Sequence, residues 1–160
     1  MSPLNLPPAE LRLKEEDGHT YVFDPIRKKH LVLTPEEWVR QHWLHYLTGA
    51  LKYPKGLIKA EGGLRWNKLQ KRTDIVCHGP EGKPLMLIEC KSPYIKITDA
   101  VFRQASLYNR TIGARCLVLS NGLVHFCAIA DEVHGTMRLI KEVPAYAELC
   151  GMQEGLGLGL

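Results

Sequence analysis

Several signatures are missing from this sequence, and each absence excludes a class of function. There is no Gly-x-x-x-x-Gly-Lys-Ser/Thr loop to cradle nucleotide phosphates, so no ATP-driven motor is expected. The seven histidines never stand in His-Glu-x-x-His spacing, and no Gly-x-Ser-x-Gly occurs. That removes a zinc-peptidase helix and a serine-hydrolase elbow. No apolar run approaches the roughly 20 residues of a membrane span. Met1 to Lys14 is proline-rich without an apolar stretch, so no secretory leader is expected. The five cysteines, Cys77, Cys90, Cys116, Cys127 and Cys150, are odd in number and never in Cys-x-x-Cys spacing. Four of them lie in apolar strand-like runs. Reduced, buried thiols in a cytoplasmic protein are therefore expected, not a disulfide framework or a zinc site. No internal repeat is visible.

What is present suffices for one core. At 160 residues and 45% hydrophobic content, one domain is expected. A formal charge of +4 permits a polyanionic partner without demanding one.

The stretch that organises the chain runs from Arg72 to Pro93 and reads as a β-hairpin. Its arms are Thr73 to His78 and Leu85 to Lys91, both rich in apolar and β-branched residues, with turn formers Gly79-Pro80-Glu81-Gly82 between them. Three charges interrupt the apolar arms: Asp74, Glu89 and Lys91. Alternation puts Leu85, Leu87, Glu89 and Lys91 on one face. If Gly79 to Gly82 form the whole loop, His78 pairs with Lys83 and Asp74 with Leu87. Asp74 then shares that face with Glu89, on a diagonal that long side chains span. A bulge or another loop length would change this register.

Around the hairpin the chain is punctuated clearly. Residues 1–20 read as a poorly structured arm, followed by short strands at Tyr21-Val22-Phe23 and Leu31-Val32-Leu33 around a basic turn. Thr34-Pro35-Glu36-Glu37 is a helix start, with Thr34 as N-cap, Pro35 in the first position and Glu37 completing a capping box. This helix should run to Thr48 and stop before Gly49. Its apolar face is Trp38, Val39, Trp43, Leu47 and Leu51. A strand is expected over Leu57 to Glu61. Arg65, Lys68, Lys71 and Arg72 then form a basic loop, either a solvated loop or one that contacts phosphates. Thr98 should cap a second helix, Asp99 to Thr111, stopped by Gly113. Its expected stripe is Val101, Ala105, Tyr108 and Ile112, with Gln104 on it. Strands are expected over Arg115 to Ser120 and Leu123 to Ala130, joined by Asn121-Gly122 as a two-residue hairpin. A short strand around Met137 to Ile140, a terminal helix around Ala145 to Leu149 and a disordered Gly-rich end follow. The expected fold class is α/β of the α+β type, a mixed central sheet flanked by helices. The expected division is an arm with short strands over 1–33, a core over 34–130 and a C-terminal extension over 131–160.

Asp74, an interval of 14 residues, then Glu89-Cys90-Lys91 resembles the catalytic signature of the PD-(D/E)XK nuclease superfamily. The resemblance extends to Pro35 through Gln41, to Gln104 with Tyr108, and to Ser120-Asn121-Gly122. These are similar, in the same order, to the amino-terminal nuclease domain of type I restriction enzyme R subunits, over roughly Asp24 to Ala130. Thr73 stands where the family often has proline. The resemblance implies a restriction-endonuclease-like core and metal-dependent hydrolysis of phosphodiester bonds in DNA. It also implies a place beside the other subunits of a restriction–modification assembly. The expected partners are accordingly nucleic acid, DNA above all, those subunits, and a second copy of the chain, with no membrane.

The residues suit that chemistry. A divalent ion on carboxylates generates a nucleophilic water and neutralises phosphorane charge, and oxygen ligands favour Mg²⁺ or Mn²⁺. Asp74, Glu89 and the Cys90 backbone carbonyl are the expected ligands. Lys91 would orient or deprotonate the water, or offset developing charge. The alternative for these three is a salt bridge at a sheet edge. Glu37 is either only a helix cap or also a ligand, as the resemblance implies. Gln104 is either a satisfied core amide or a group that orients the site. Arg65, Lys68, Lys71 and Arg72 are the candidate nucleic-acid contacts. Two non-catalytic readings stay open: a nucleic-acid-binding module and a protein-interaction domain that keep the nuclease fold.

Overall fold

A computed structural model describes residues 1–60 and 75–158, with side chains to Met152. The chain begins with a three-stranded antiparallel sheet: β1 (Leu13–Glu16), β2 (His19–Asp24) and β3 (Lys29–Val32). A strand at Leu13–Glu16 departs from the expected unstructured arm. Its charged residues are all exposed, which an edge strand tolerates. The signal was present in Asp17-Gly18: both take positive φ, 50° and 76°, the backbone of a two-residue hairpin turn.

Helix α1 spans Pro35–Thr48, with the expected boundaries. The Thr34 hydroxyl accepts from the Glu37 amide at 3.1 Å, and Gly49 ends the helix. Val39, Trp43, Leu44 and Leu47 are fully or almost fully buried. Trp38 is only half-buried, and its indole donates to the Ser2 carbonyl at 3.0 Å.

The main sheet has six strands in sequence order: β4 (Ile58–Ala60), β5 (Ile75–His78), β6 (Pro84–Cys90), β7 (Cys116–Ser120), β8 (His125–Asp131) and β9 (Thr136–Ile140). Among the described strands only β6 and β7 pair in parallel, and helix α2 (Asp99–Ile112) makes the crossover between them, as parallel pairing requires. This is the mixed sheet flanked by helices that the sequence predicts. Alternation along β6 sends Met86, Ile88 and Cys90 into one core with the α1 residues. Leu87 enters a second core with Leu117 and Ala105 of α2. The helices thus lie on opposite faces. Full burial of such a side chain contributes about 1.5–3 kcal/mol.

The hairpin register differs from expectation. His78 pairs with Pro84, not Lys83, and a bulge between Cys77 and His78 then brings Ile75 opposite Ile88. The loop includes Lys83 as well: the Gly79 amide donates to the Lys83 carbonyl at 2.8 Å, and Gly82 closes the turn at φ 80°. Loop and bulge together displace the pairing by two residues, and Leu85, expected on the face of Leu87, packs instead with Met86 and Ile88, so the expected alternation holds only from Leu87 onward. Leu123 and Val124 also leave the strand expected for them. β7 and β8 meet at Ser120↔His125, and the turn holds all four residues between. Asn121 accepts from the Leu123 and Val124 amides at 2.9 and 2.8 Å, which makes the longer turn. The last helix, α3, runs Tyr146–Leu158, beyond the Ala145 to Leu149 expected, so the Gly-rich end is helical as far as Leu158.

None of the five cysteines is in a disulfide, and Cys77, Cys90, Cys116 and Cys127 are buried, as expected. Burial pushes the Cys77 thiol up to about 12. Among the described residues no helix is long and apolar enough to cross a membrane.

Candidate functional site

The C-terminal end of β6 carries the first group of functional side chains. Glu89 lies opposite Leu119 of β7, on the face covered by α2. Its carboxylate is nearly buried, and one oxygen is 3.2 Å from Lys91 Nζ. Lys91, two residues on, falls on the same face by alternation. Its side chain keeps 29% exposure, and its amide donates to the Ser120 carbonyl at 2.8 Å, extending the β6–β7 ladder beyond Cys90. Tyr108 of α2 stands close by. Burial, and then the negative charge of Glu89, raises its hydroxyl above the ordinary tyrosine value.

Ser120-Asn121-Gly122 braces this end of the sheet. Asn121 Nδ2 donates to the Ile95 carbonyl at 2.9 Å and so ties the loop after Lys91 to the β7–β8 turn. Ser120 Oγ bonds His125 Nδ1 at 2.7 Å and accepts from the Gly122 amide at 2.9 Å. Gly122 sits at φ 85°, and a Cβ there would come within 2.8 Å of Leu4 and 2.9 Å of Val39. Only glycine fits.

A second cluster joins the β2–β3 turn to α1. Asp24 is wholly buried and accepts from the Ile26 and Arg27 amides, both at 2.8 Å, and from Arg27 Nε at 2.8 Å. Gln41 Nε2 bridges Asp24 at 3.0 Å and Glu37 at 2.9 Å. Glu37 also takes Arg27 Nη2 at 3.1 Å on one oxygen and Arg40 Nη1 on the other. Burial alone would raise the Asp24 carboxyl. The Arg27 hydrogen bonds and charge, with the Gln41 amide, outweigh it and hold the group below its ordinary value.

The structure therefore sorts the predicted residues. It brings Glu89 and Lys91 together and adds Tyr108, which the sequence reading placed in the core. The signal was available, since Tyr108 follows Gln104 by one helical turn in the same motif. Gln104 itself is exposed, not on the buried stripe. Ala105, Tyr108 and Ile112 of the expected stripe do pack against the sheet, joined by Phe102, and Asn109 is buried beside them. Glu37 is capped, its amide donating to the Thr34 hydroxyl, while its carboxylate is engaged by two guanidiniums and an amide. Asp74, Arg65, Lys68, Lys71 and Arg72 lie outside the described residues. Among the described residues no group of three or more His, Cys, Asp or Glu side chains is placed to hold a metal ion. The donors that are described, the Glu89 carboxylate and the Cys90 carbonyl, are oxygens of the kind a hard divalent cation takes, but they do not complete a ligand set.

A mixed sheet, a crossover helix over one face and a carboxylate–lysine pair at the end of the strand before that crossover define an α+β domain with one charged site at its sheet end. Residues 35–144 match the family described as Type I restriction enzyme R protein N terminus (HSDR_N), and the chain belongs to that family. Among solved structures it is similar to a fragment assigned as an HsdR subunit of a type I restriction enzyme from Vibrio vulnificus YJ016. The identity is 22% and the TM-score 0.42, over 61% of this chain and 18% of that one. The chain therefore spans less than a fifth of that structure. No curated protein matches the sequence.

Proposed function

We propose that this domain is a divalent-metal-dependent nuclease of the PD-(D/E)XK type that hydrolyses phosphodiester bonds in DNA, with the other subunits of a type I restriction system as its partners. The observation that carries the reading is the Glu89–Lys91 pair, 3.2 Å apart and partly open to solvent. Asp74 adjoins Ile75 in sequence, and Ile75 pairs with Ile88, the residue before Glu89. Asp74, Glu89 and the Cys90 carbonyl would hold Mg²⁺ or Mn²⁺, which when bound supplies a nucleophilic water and neutralises phosphate charge. The Lys91 ammonium, next to the carboxylate and with its side chain 29% exposed, would meet a phosphate oxygen or the attacking water. The Tyr108 hydroxyl, near Glu89, would serve as a hydrogen-bond donor to the same region. Arg65, Lys68, Lys71 and Arg72 would contact phosphates.

The test is cleavage of supercoiled and linear DNA by the parent protein and by Asp74→Asn, Glu89→Gln and Lys91→Ala, with Mg²⁺, with Mn²⁺ and with EDTA. Metal-dependent cleavage lost in all three variants is expected. Binding of DNA without cleavage under any metal would favour the non-catalytic nucleic-acid module, and neither binding nor cleavage would favour an interaction domain.

A further inference from the structure

The outward face of the N-terminal sheet has a composition that its architectural role does not require. Val22 and Asp24 of β2 point inward and are buried, so alternation turns His19, Tyr21 and Phe23 to the other side. The register places Lys14 beside Tyr21 on β1 and His30 beside Phe23 on β3. Arg12 reaches the same face from just before β1, its guanidinium 4.0 Å from the Phe23 ring centroid. Lys14 Nζ lies 5.5 Å from the Tyr21 centroid. Arg12, Lys14, His19 and His30 are exposed, and the two aromatic rings are half-covered by the cations. Glu16 is the acidic residue of this face, and it is paired with Lys14 at 2.6 Å.

We propose that this face is a stacking platform for a single-stranded polynucleotide, separate from the Glu89–Lys91 site. Three ring side chains follow one another at every second residue of one strand, a spacing of roughly 6–7 Å; His19 and Tyr21 have centroids 6.5 Å apart. That row offers successive unpaired bases one ring each, while cations on the neighbouring strand lie where a backbone would run. A cation over an exposed ring is weakly held compared with a stacked base, so Arg12 and Lys14 can swing to phosphates as bases take the ring faces. A duplex presents no free base face and gains only the charge contacts. The platform is fixed to the rest of the domain by Asp24 and Arg27, whose bonds to Gln41 and Glu37 tie the β2–β3 turn to α1. The inference does not depend on catalysis.

The experiment is fluorescence anisotropy in EDTA, where metal-dependent cleavage cannot proceed. The probes are labelled oligo(dT) and oligo(U) of about 15 nucleotides and a duplex of the same length. The intact chain should bind the single strands, and the two sugars separate a DNA ligand from an RNA ligand. Tyr21→Leu should weaken single-strand binding roughly tenfold and leave duplex binding unchanged. Arg12→Gln with Lys14→Gln should reduce the log–log salt slope by about 1.4, from two single-strand phosphate contacts. The side chains of both are exposed in the free protein, so that double variant keeps the measurement meaningful if Tyr21→Leu folds poorly. Unchanged single-strand affinity in both sheet variants overturns the proposal. So does an equal loss on the duplex, or a dimer, dissociated by Tyr21→Leu, that binds no oligonucleotide.

Discussion

Glu37 and Glu89 are both glutamates with almost no exposed surface, and both sit beside cations, yet their surroundings differ in closure. Glu37 is enclosed by Arg27, Arg40 and Gln41, and those arginine side chains are 12% and 4% exposed. Glu89 is beside Lys91, whose side chain keeps 29% of its surface in solvent. The first cluster balances Asp24 and Glu37 against Arg27 and Arg40, with an amide bridging the acids, and leaves no face for a ligand. It fastens a sheet to a helix. The second keeps a side of its ammonium open to solvent, as the proposed phosphate contact requires. The contrast shows that burial of a carboxylate alone says little about its role: two similarly buried glutamates differ in how open their cations are to solvent.

The sharpest way to break this comparison is Lys91→Ala. Cleavage should fall by about 10²–10⁴-fold, read as plasmid nicking with Mg²⁺, with the melting temperature nearly unchanged. Undiminished cleavage would remove the chemical role of Lys91. Glu37→Gln is the counterpart on the closed cluster. It weakens one of two carboxylate contacts at each of two buried guanidiniums, leaving Arg27 with Asp24 and Arg40 with Glu36, and should cost about 1.5–3 kcal/mol, seen in a denaturant titration, while any Mg²⁺-dependent rise in melting temperature survives. Loss of that rise in Glu37→Gln would restore Glu37 to the ligand set.

A smaller effect sharpens the open site without a substrate. With free Mg²⁺ at about ten times its dissociation constant, linkage adds about 1.4 kcal/mol, a melting shift of roughly 3–6 °C for a chain of this size. Glu89→Gln and Asp74→Asn should shrink it. A parent protein that shows no shift, with an Asp74→Asn variant that melts lower, would reduce Glu89 and Lys91 to a structural pair. The smallest effect is confined to acid. The Asp24 carboxyl is held below its ordinary value of 3.8, so the folded chain binds fewer protons there than the unfolded chain. Its contribution is complete above that value and is lost as pH falls through the lower folded value. Asp24→Asn should therefore flatten the acid limb of a stability–pH curve and leave its shape near neutrality unchanged.

Local chemistry was legible wherever one residue sets a boundary. Thr34 and Gly49 bracket α1, Thr98 and Gly113 bracket α2, and each boundary lies where capping preferences put it. Alternation placed Glu89 and Lys91 on one face because a strand has a fixed period of two. Features decided by two segments at once were harder to read. The position of Ile75 opposite Ile88 depends on a bulge that only the partner strand defines. Gln104 was misplaced because a helix with several half-apolar positions has no unique inward face until the sheet beneath it is known. Here Asn109 takes that face by bonding both the carbonyl and the amide of Ala114, at 2.8 and 3.1 Å.

The sequence by itself determined α1, α2 and the identity of the charged residues at the end of β6, because caps, periodicity and turn formers act within a few residues. Only the tertiary structure decided which charges are closed and which open. Arg27 reaches Glu37 across 10 positions in sequence, Gln41 reaches Asp24 across 17, and Asn121 reaches Ile95 across 26. The worth of a buried charge depends on the partners that burial brings to it, and those partners come from segments that meet only when the sheets and helices pack.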